Sequence, residues 1–218
     1  MKRFFLSAII VMVGYVTASA QCWQGQIGTN LATLPGRSIE LATAWSPDLN
    51  RWALTINAGY TYRNHFSAAP SGYMCDCGLD KVNTSGAFLK VGYRTDVLRS
   101  IRPQAKIGIP IGLILIGSQY QQEGVIQSFP DGNSRYITES ARGFVIGAGL
   151  TAAMNIRFSE RWNLDLGLQK FVGFKRRTDY LLLRDYMTHQ PGVGLTNWKS
   201  FWPGMQGIVT VNYRLRGL

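Results

Sequence analysis

Residues 51–63 read RWALTINAGYTYR, and almost every second side chain is large and apolar. Trp52, Leu54, Ile56, Ala58, Tyr60 and Tyr62 fall on one face of an extended chain. Ala53, Thr55, Asn57, Gly59, Thr61 and Arg63 fall on the other. A period of two defines a strand, because a helix would bring together residues three and four apart. Whether the apolar face meets a protein core or a lipid bilayer decides the fold.

The same alternation recurs along the chain. It is present in IELATAW (39–45), GAFLKVGYR (86–94), GFVIGAGLTAAMNIRF (143–158), WNLDLGLQKFVGF (162–174) and GIVTVNYRL (207–215). QIGTNLAT (26–33) and KIGIPIGLILIG (106–117) are less regular, the second carrying Pro110 and apolar residues on both faces. About eight strands result, several as long as the nine to eleven residues that cross a bilayer. A soluble barrel would be apolar inside and polar outside. Here the row opposite the apolar one is Gly, Ala, Thr and Asn with the isolated charges Glu40, Lys90, Arg94, Lys106, Arg157 and Asp165. Small residues suit a narrow barrel interior, and opposite charges can pair there if fully hydrogen-bonded. The apolar row then faces lipid. Trp45, Trp52, Tyr60, Tyr62, Tyr93, Phe158, Trp162, Phe174 and Tyr213 near strand ends supply the interfacial aromatic girdles of a membrane barrel.

Connection lengths agree. Residues 46–50, 97–103 and 159–161 form short connections, whereas 64–83, 119–139 and 175–204 form long ones, and the two kinds alternate apart from a brief first connection at 34–38. The expected fold is therefore all-β: an antiparallel up-and-down transmembrane β-barrel of about eight strands. Short periplasmic turns, long outer loops and two periplasmic termini follow for a barrel in the outer membrane of a Gram-negative bacterium.

The N-terminus carries the export signal this requires. Lys2 and Arg3 precede an apolar run over 4–16, and Ala18-Ser19-Ala20 supplies the small residues of a cleavage site. Residues 1–20 are expected to be removed as a signal peptide, leaving 21–218 as one barrel domain. Gln21 and Ser19 are not the residues that lipid attachment at Cys22 would need. Removal of the leader takes the formal charge from +11 to +9, which suits anionic lipopolysaccharide, nucleic acid or acidic partners without choosing among them. Cys22 falls at the periplasmic entrance and Cys75 and Cys77 in an outer loop, so no Cys22–Cys75 bridge is expected. No cofactor or metal site is indicated.

An eight-stranded barrel is filled by its own side chains, so Glu40, Lys90, Arg94, Lys106, Arg157 and Asp165 are expected to be structural charge pairs and not a solute path. His65-Phe66-Ser67, a base and a hydroxyl two residues apart, is the one local arrangement that would suit a lipid A-modifying enzyme. Those side chains continue the inward row, away from lipid substrates, and Glu123 and Glu139 are loop residues, so His65, like His189, is expected to be an ordinary loop residue. Lys175, Arg176, Arg177 and Arg184 open the last long loop, where they could contact lipopolysaccharide phosphates or a partner; direct nucleic-acid binding is not expected. That loop also holds Tyr180, Leu181, Leu182, Leu183, Tyr186, Trp198, Phe201 and Trp202, the composition of a folded cap or a partner surface.

QCWQGQIG (21–28), LNRWALTINAGY (49–60), IGLILIGSQYQQEG (111–124), FVIGAGLTAAMNIRFSERWNLDLGLQKFVG (144–173) and GIVTVNYRL together resemble TraO, a conjugal transfer protein of Bacteroidetes conjugative transposons. The long segment 175–204 and the ending Arg-Gly-Leu depart from that pattern. The resemblance implies a non-enzymatic accessory part of a conjugation apparatus, meeting other transfer proteins through its loops and turns. A generic structural or adhesive outer-membrane barrel of the OmpA/OmpX kind is the alternative.

Overall fold

The computed structural model describes residues 23–49, 51–66, 78–128, 135–175, 188–196 and 205–215. The strands are β1 (Gln24–Asn30), β2 (Ser38–Ser46), β3 (Trp52–Phe66), β4 (Gly78–Asp96), β5 (Ile107–Gly108), β6 (Pro110–Ser128), β7 (Arg135–Arg157) and β8 (Trp162–Lys175). They are followed by the short pair β9 (Thr188–Gln190) and β10 (Gly194–Thr196), and by β11 (Met205–Arg214). A 3-10 turn, Leu31–Gly36, joins β1 to β2, and a short helix α1, Val97–Ile101, follows β4.

Each long strand pairs antiparallel with its neighbours in the cyclic order β1, β2, β3, β4, β6, β7, β8, β11 and back to β1. β5 and β6 pair with β7 in one unbroken register, Ile107 with Ile156 and Ile111 with Ala152, so they are one strand interrupted at Ile109–Pro110. Pro110 has no N–H for the ladder, which is why the interruption falls there. The result is a closed eight-stranded barrel with no open sheet edge, the one β arrangement whose backbone groups are all satisfied in hydrocarbon.

One circuit of paired residues shows both the tilt and the facing. Gly25, Trp45, Leu54, Tyr93, Leu113, Leu150, Lys170 and Met205 are successive partners. The circuit starts at the foot of β1 and ends beyond the Asn30–Thr210 pair at its top, so the strands are steeply tilted, as closure of eight strands demands. Apart from Gly25 and Lys170 these residues are apolar or aromatic, and every side chain among them lies on the outer face. Leu113 is 64% and Leu150 62% exposed, while their chain neighbours Gly112, Ile114 and Gly149 turn inward. Among the described residues, twenty buried side chains are polar or charged against ten that are apolar. The protein is polar inside and apolar outside, which answers the question posed by residues 51–63. Ile39, Leu41, Leu54, Ile56, Leu89, Val91, Ile146 and Leu168 continue the outer belt.

Aromatic groups border it. Trp23 packs edge-on against Trp52, Trp52 stacks on Tyr93, and Trp162 meets Tyr213, all at the end of the barrel that carries the termini. Tyr60 and Tyr62 lie near the opposite, loop-bearing end, 50% and 62% exposed.

Two boundaries differ from the sequence expectation. The ranges 64–83 and 119–139 are largely strand: β3 continues to Phe66, β4 starts at Gly78, and β6 and β7 run to Ser128 and from Arg135. Gln119–Ser128 pairs with Arg135–Phe144 without a break. Both faces of GSQYQQEG are polar there, so no apolar contrast marks the strand although the ladder persists. The row on β3 also shifts: a bulge between Thr61 and Asn64 places Arg63 at φ 38° and exposes it instead of continuing it inward.

Candidate functional site: the lumen and its two ends

Interior packing starts from one ion pair. Glu40 on β2 and Lys90 on β4 face each other across β3, and Nζ lies 2.9 Å from Oε2 and 3.0 Å from Oε1. Both side chains are buried to within 1%. Asn30 and Asn57 donate to the Glu40 carboxylate, at 3.3 and 3.0 Å, and Lys90 donates a further bond to Gln206 Oε1. The Lys90 ammonium also sits 5.0 and 5.5 Å from the ring centres of Phe88 and Phe171, where the π faces attract it. Gly59 and Gly149 make room for these rings, since a Cβ at either would collide with Phe88 or Phe171.

The second pair lies nearer the terminal end. Arg94 NH1 donates to Asp165 Oδ2 at 2.9 Å, and Asn212 donates to the same oxygen at 3.0 Å. Asn155 donates to Asp165 Oδ1 and to Asn163, and Asn163 Oδ1 also receives Asn212 and Gln26. Four of the six charges expected inside, Glu40, Lys90, Arg94 and Asp165, are thus brought together in two pairs. Lys106 is a correction: it is exposed on the connection between α1 and β5, where only its carbonyl is used. Arg157 is half-buried at the terminal end of β7 and near Arg99, with its backbone N–H bonded to Lys106 O.

Arg99 is the interior cation that sequence alternation could not show, because it sits on a helix. Asp96 caps α1, accepting from Arg99 N at 2.9 Å and from Ile109 N at 3.0 Å. The turn so fixed sends the Arg99 guanidinium into the mouth of the barrel. There it donates to Asn155 Oδ1, to Asp96 and to the carbonyls of Ala105, Lys106 and Asn155. Burial, and then Arg157, hold its pKa below the ordinary arginine value, while Asp96 and Asp165 oppose that shift. This closes the terminal end.

A hairpin closes the other. Gln190, Pro191, Gly192, Val193 and Gly194 are all buried, although they belong to the longest connection of the chain. Ser118 Oγ donates to Pro191 O at 2.8 Å, and Val193 joins Phe88, Ile114, Ile116 and Phe171 in an apolar cluster. Gly192 has φ +74°, and a Cβ there would lie 2.5 Å from Phe88 Cγ. Part of segment 175–204 is therefore a stopper. The side chains of Lys175 and His189, and residues Arg176, Arg177 and Arg184, lie outside the described residues, as do the cap residues from Tyr180 to Tyr186 and from Trp198 to Trp202. So do residues 1–22, Cys75, Cys77, the His65 side chain and Ser67. Glu123 and Glu139 lie on strands, paired with Ser140 and Gly124.

Between the two stoppers remains a cavity of about 70 Å³, bordered by Glu40, Asn57, Arg94, Asp165 and Thr210 among others. That volume has room for a few waters. Among the described residues no group of three or more His, Cys, Asp or Glu side chains could hold a metal.

No family model matches the chain, and no curated protein is similar to it in sequence. Its fold is similar to that of a major outer membrane protein from Thermus thermophilus, with a TM-score of 0.47 and 11% identity over 88% of this chain and 98% of that one. The N-terminal β-barrel domain of Pseudomonas aeruginosa OprF gives 0.39 and 9%, over 88% and 96%. Ail, the attachment invasion locus protein of Yersinia pestis, gives 0.39 and 9%, over 88% and 93%. The class itself follows from strand order and facing: a closed, lipid-facing eight-stranded β-barrel.

Proposed function

We propose that this chain is a non-enzymatic outer-membrane anchor, both termini periplasmic, that serves as an accessory component of a conjugative DNA-transfer apparatus. The observation that carries the anchoring role is the filled lumen: among the described residues Glu40 pairs with Lys90 and Arg94 with Asp165, and Arg99 and the Gln190–Gly194 hairpin enter it from its two ends. The chain between β8 and β11, opposite the termini, is the longest connection and supports the orientation, since outer loops are the long ones in such barrels. The likeness of LNRWALTINAGY and the 144–173 hairpin to TraO supports the conjugal role and other transfer proteins as partners.

Deletion of the gene in its native donor, with complementation, tests this. Transfer frequency is expected to fall steeply and to be restored by the complementing copy. Unchanged transfer would leave a structural or adhesive barrel, and a change in lipid A acylation in the deletion strain would instead assign an enzyme.

A further inference from the structure

The barrel rim is uneven. On one side β4, β6 and β7 project far past the apolar belt, but the β1–β2 connection stops at the 3-10 turn Leu31–Gly36. Beside this low lip stand Arg37 and Arg63. They are the two non-glycine residues with positive φ among the described residues, at 49° and 38°. An L-residue in that conformation costs on the order of 1 kcal/mol, so both are positions where the fold imposes the backbone.

Three hydrogen bonds hold them side by side. Tyr62 N donates to Arg37 O at 2.8 Å, Asn64 Nδ2 to Gly36 O at 2.9 Å, and Arg37 NH1 to Arg63 O at 3.2 Å. The last bond draws one guanidinium to the backbone of the other arginine. Both side chains are exposed, and neither forms an ion pair among the described residues. Two exposed cations on backbones held this close present a local positive charge that one anion can meet.

Their height identifies that anion. From Trp52, in the aromatic group at the terminal end, to Arg63 the tilted strand rises roughly 25–30 Å at about 3.3 Å per residue. That equals the apolar band of an outer-membrane barrel, about 25 Å. Toward the terminal end from the arginines lie the exposed apolar side chains Ile39 on β2 and Tyr60 and Tyr62 on β3. Acyl chains against these would bring a headgroup level with the two guanidinium groups, which bind phosphate as planar forks.

We infer that Arg37 and Arg63 form a binding position for the phosphate of an anionic lipid of the outer leaflet, a phosphorylated glycolipid. The inference rests on the outer-membrane orientation proposed above. Lipid bound here would seal the low side of the rim, where no projecting strand shields the belt.

The test uses the full mature protein in detergent and native mass spectrometry, with bisphosphorylated lipid A, dephosphorylated lipid A and inorganic phosphate as probes. The wild type is expected to retain bisphosphorylated lipid A at least about tenfold more strongly than the dephosphorylated form, the worth of roughly one charge-assisted contact. Arg37→Gln with Arg63→Gln should abolish that preference, and Arg37→Lys with Arg63→Lys should restore part of it. Heat-modifiable gel mobility equal to wild type confirms that the variants are folded; a preference lost only in misfolded variants overturns the inference. Equal retention of both lipids by the wild type, or a preference unchanged in the Gln variant, also overturns it. Displacement of the lipid by millimolar inorganic phosphate would overturn the assignment to a lipid headgroup. Separate fractionation and surface labelling of a tag inserted in segment 67–77 test the orientation. A barrel in the outer membrane, loops outward, that shows no phosphate preference refutes this site alone.

Discussion

Replacement of Lys90 by Met should be among the most damaging single changes in the barrel wall. The substitution keeps the unbranched shape of the side chain and its place between Phe88 and Phe171, and removes the ammonium that lies 2.9 Å from Glu40. Glu40 is left with the amides of Asn30 and Asn57 as its remaining donors. Breaking a buried pair by removing one partner costs about 3–5 kcal/mol. Glu40 also borders the 70 Å³ cavity, so water can solvate part of the stranded carboxylate and the expected cost is at the lower end, about 3 kcal/mol. The double variant Lys90→Met with Glu40→Gln leaves no unpaired charge and should recover to within about 1 kcal/mol of wild type. Reversible urea unfolding in lipid vesicles, followed by tryptophan fluorescence and by gel mobility without heating, measures both. The single variant should shift the midpoint by about 1–3 M. A single variant within about 1 kcal/mol of wild type, or a double no better than the single, would refute the claim that this pair is a mutually dependent unit.

Three further outcomes follow from other parts of the molecule. Ile56→Arg, on the outward row between Trp52 and Tyr62, places a charge in the middle of the belt and should cost about 2–4 kcal/mol in vesicles; a neutral result would mean this face does not meet lipid. Gly192→Ala puts a Cβ against Phe88 and an L-side chain at φ +74°, so the hairpin stopper should loosen. Faster exchange of the Val193 amide, now bonded to Gln190 O at 3.0 Å, would register it, and unchanged protection would refute the stopper's dependence on that contact. Asp96→Ala removes the cap of α1, the acceptor of Ile109 N and a partner of Arg99 together, and should lower stability by about 1–3 kcal/mol. Asp96→Asn, which keeps an acceptor oxygen for the cap, should lose less, and an equal loss would locate the effect in the Arg99 charge alone.

The barrel was legible in residues such as Trp52–Tyr62 and Phe144–Phe158 because lipid-facing strands must alternate, and alternation is a property of the chain alone. The identities of four interior charges were legible for the same reason, since Glu40, Lys90, Arg94 and Asp165 each break an otherwise small and neutral row. Which charge meets which was not. Lys90 finds Glu40 across an intervening strand, and Arg94 finds Asp165 across the lumen, and both depend on tilt and register accumulated around the barrel. Lys106 satisfied the same sequence rule yet stands outside, because the chain had already left the wall at α1. Arg99 and the Gln190–Gly194 tip show the converse: nothing periodic marks them, and each enters the lumen only because a cap or a left-handed glycine turns the backbone inward. The bulge after Thr61 likewise sent Arg63 outward to Arg37. The sequence by itself determined that the wall would be greasy outside and polar within. Closure, tilt and three local turns decided how the lumen is filled from its two ends and where its cations stand, because those depend on contacts between residues far apart in the chain.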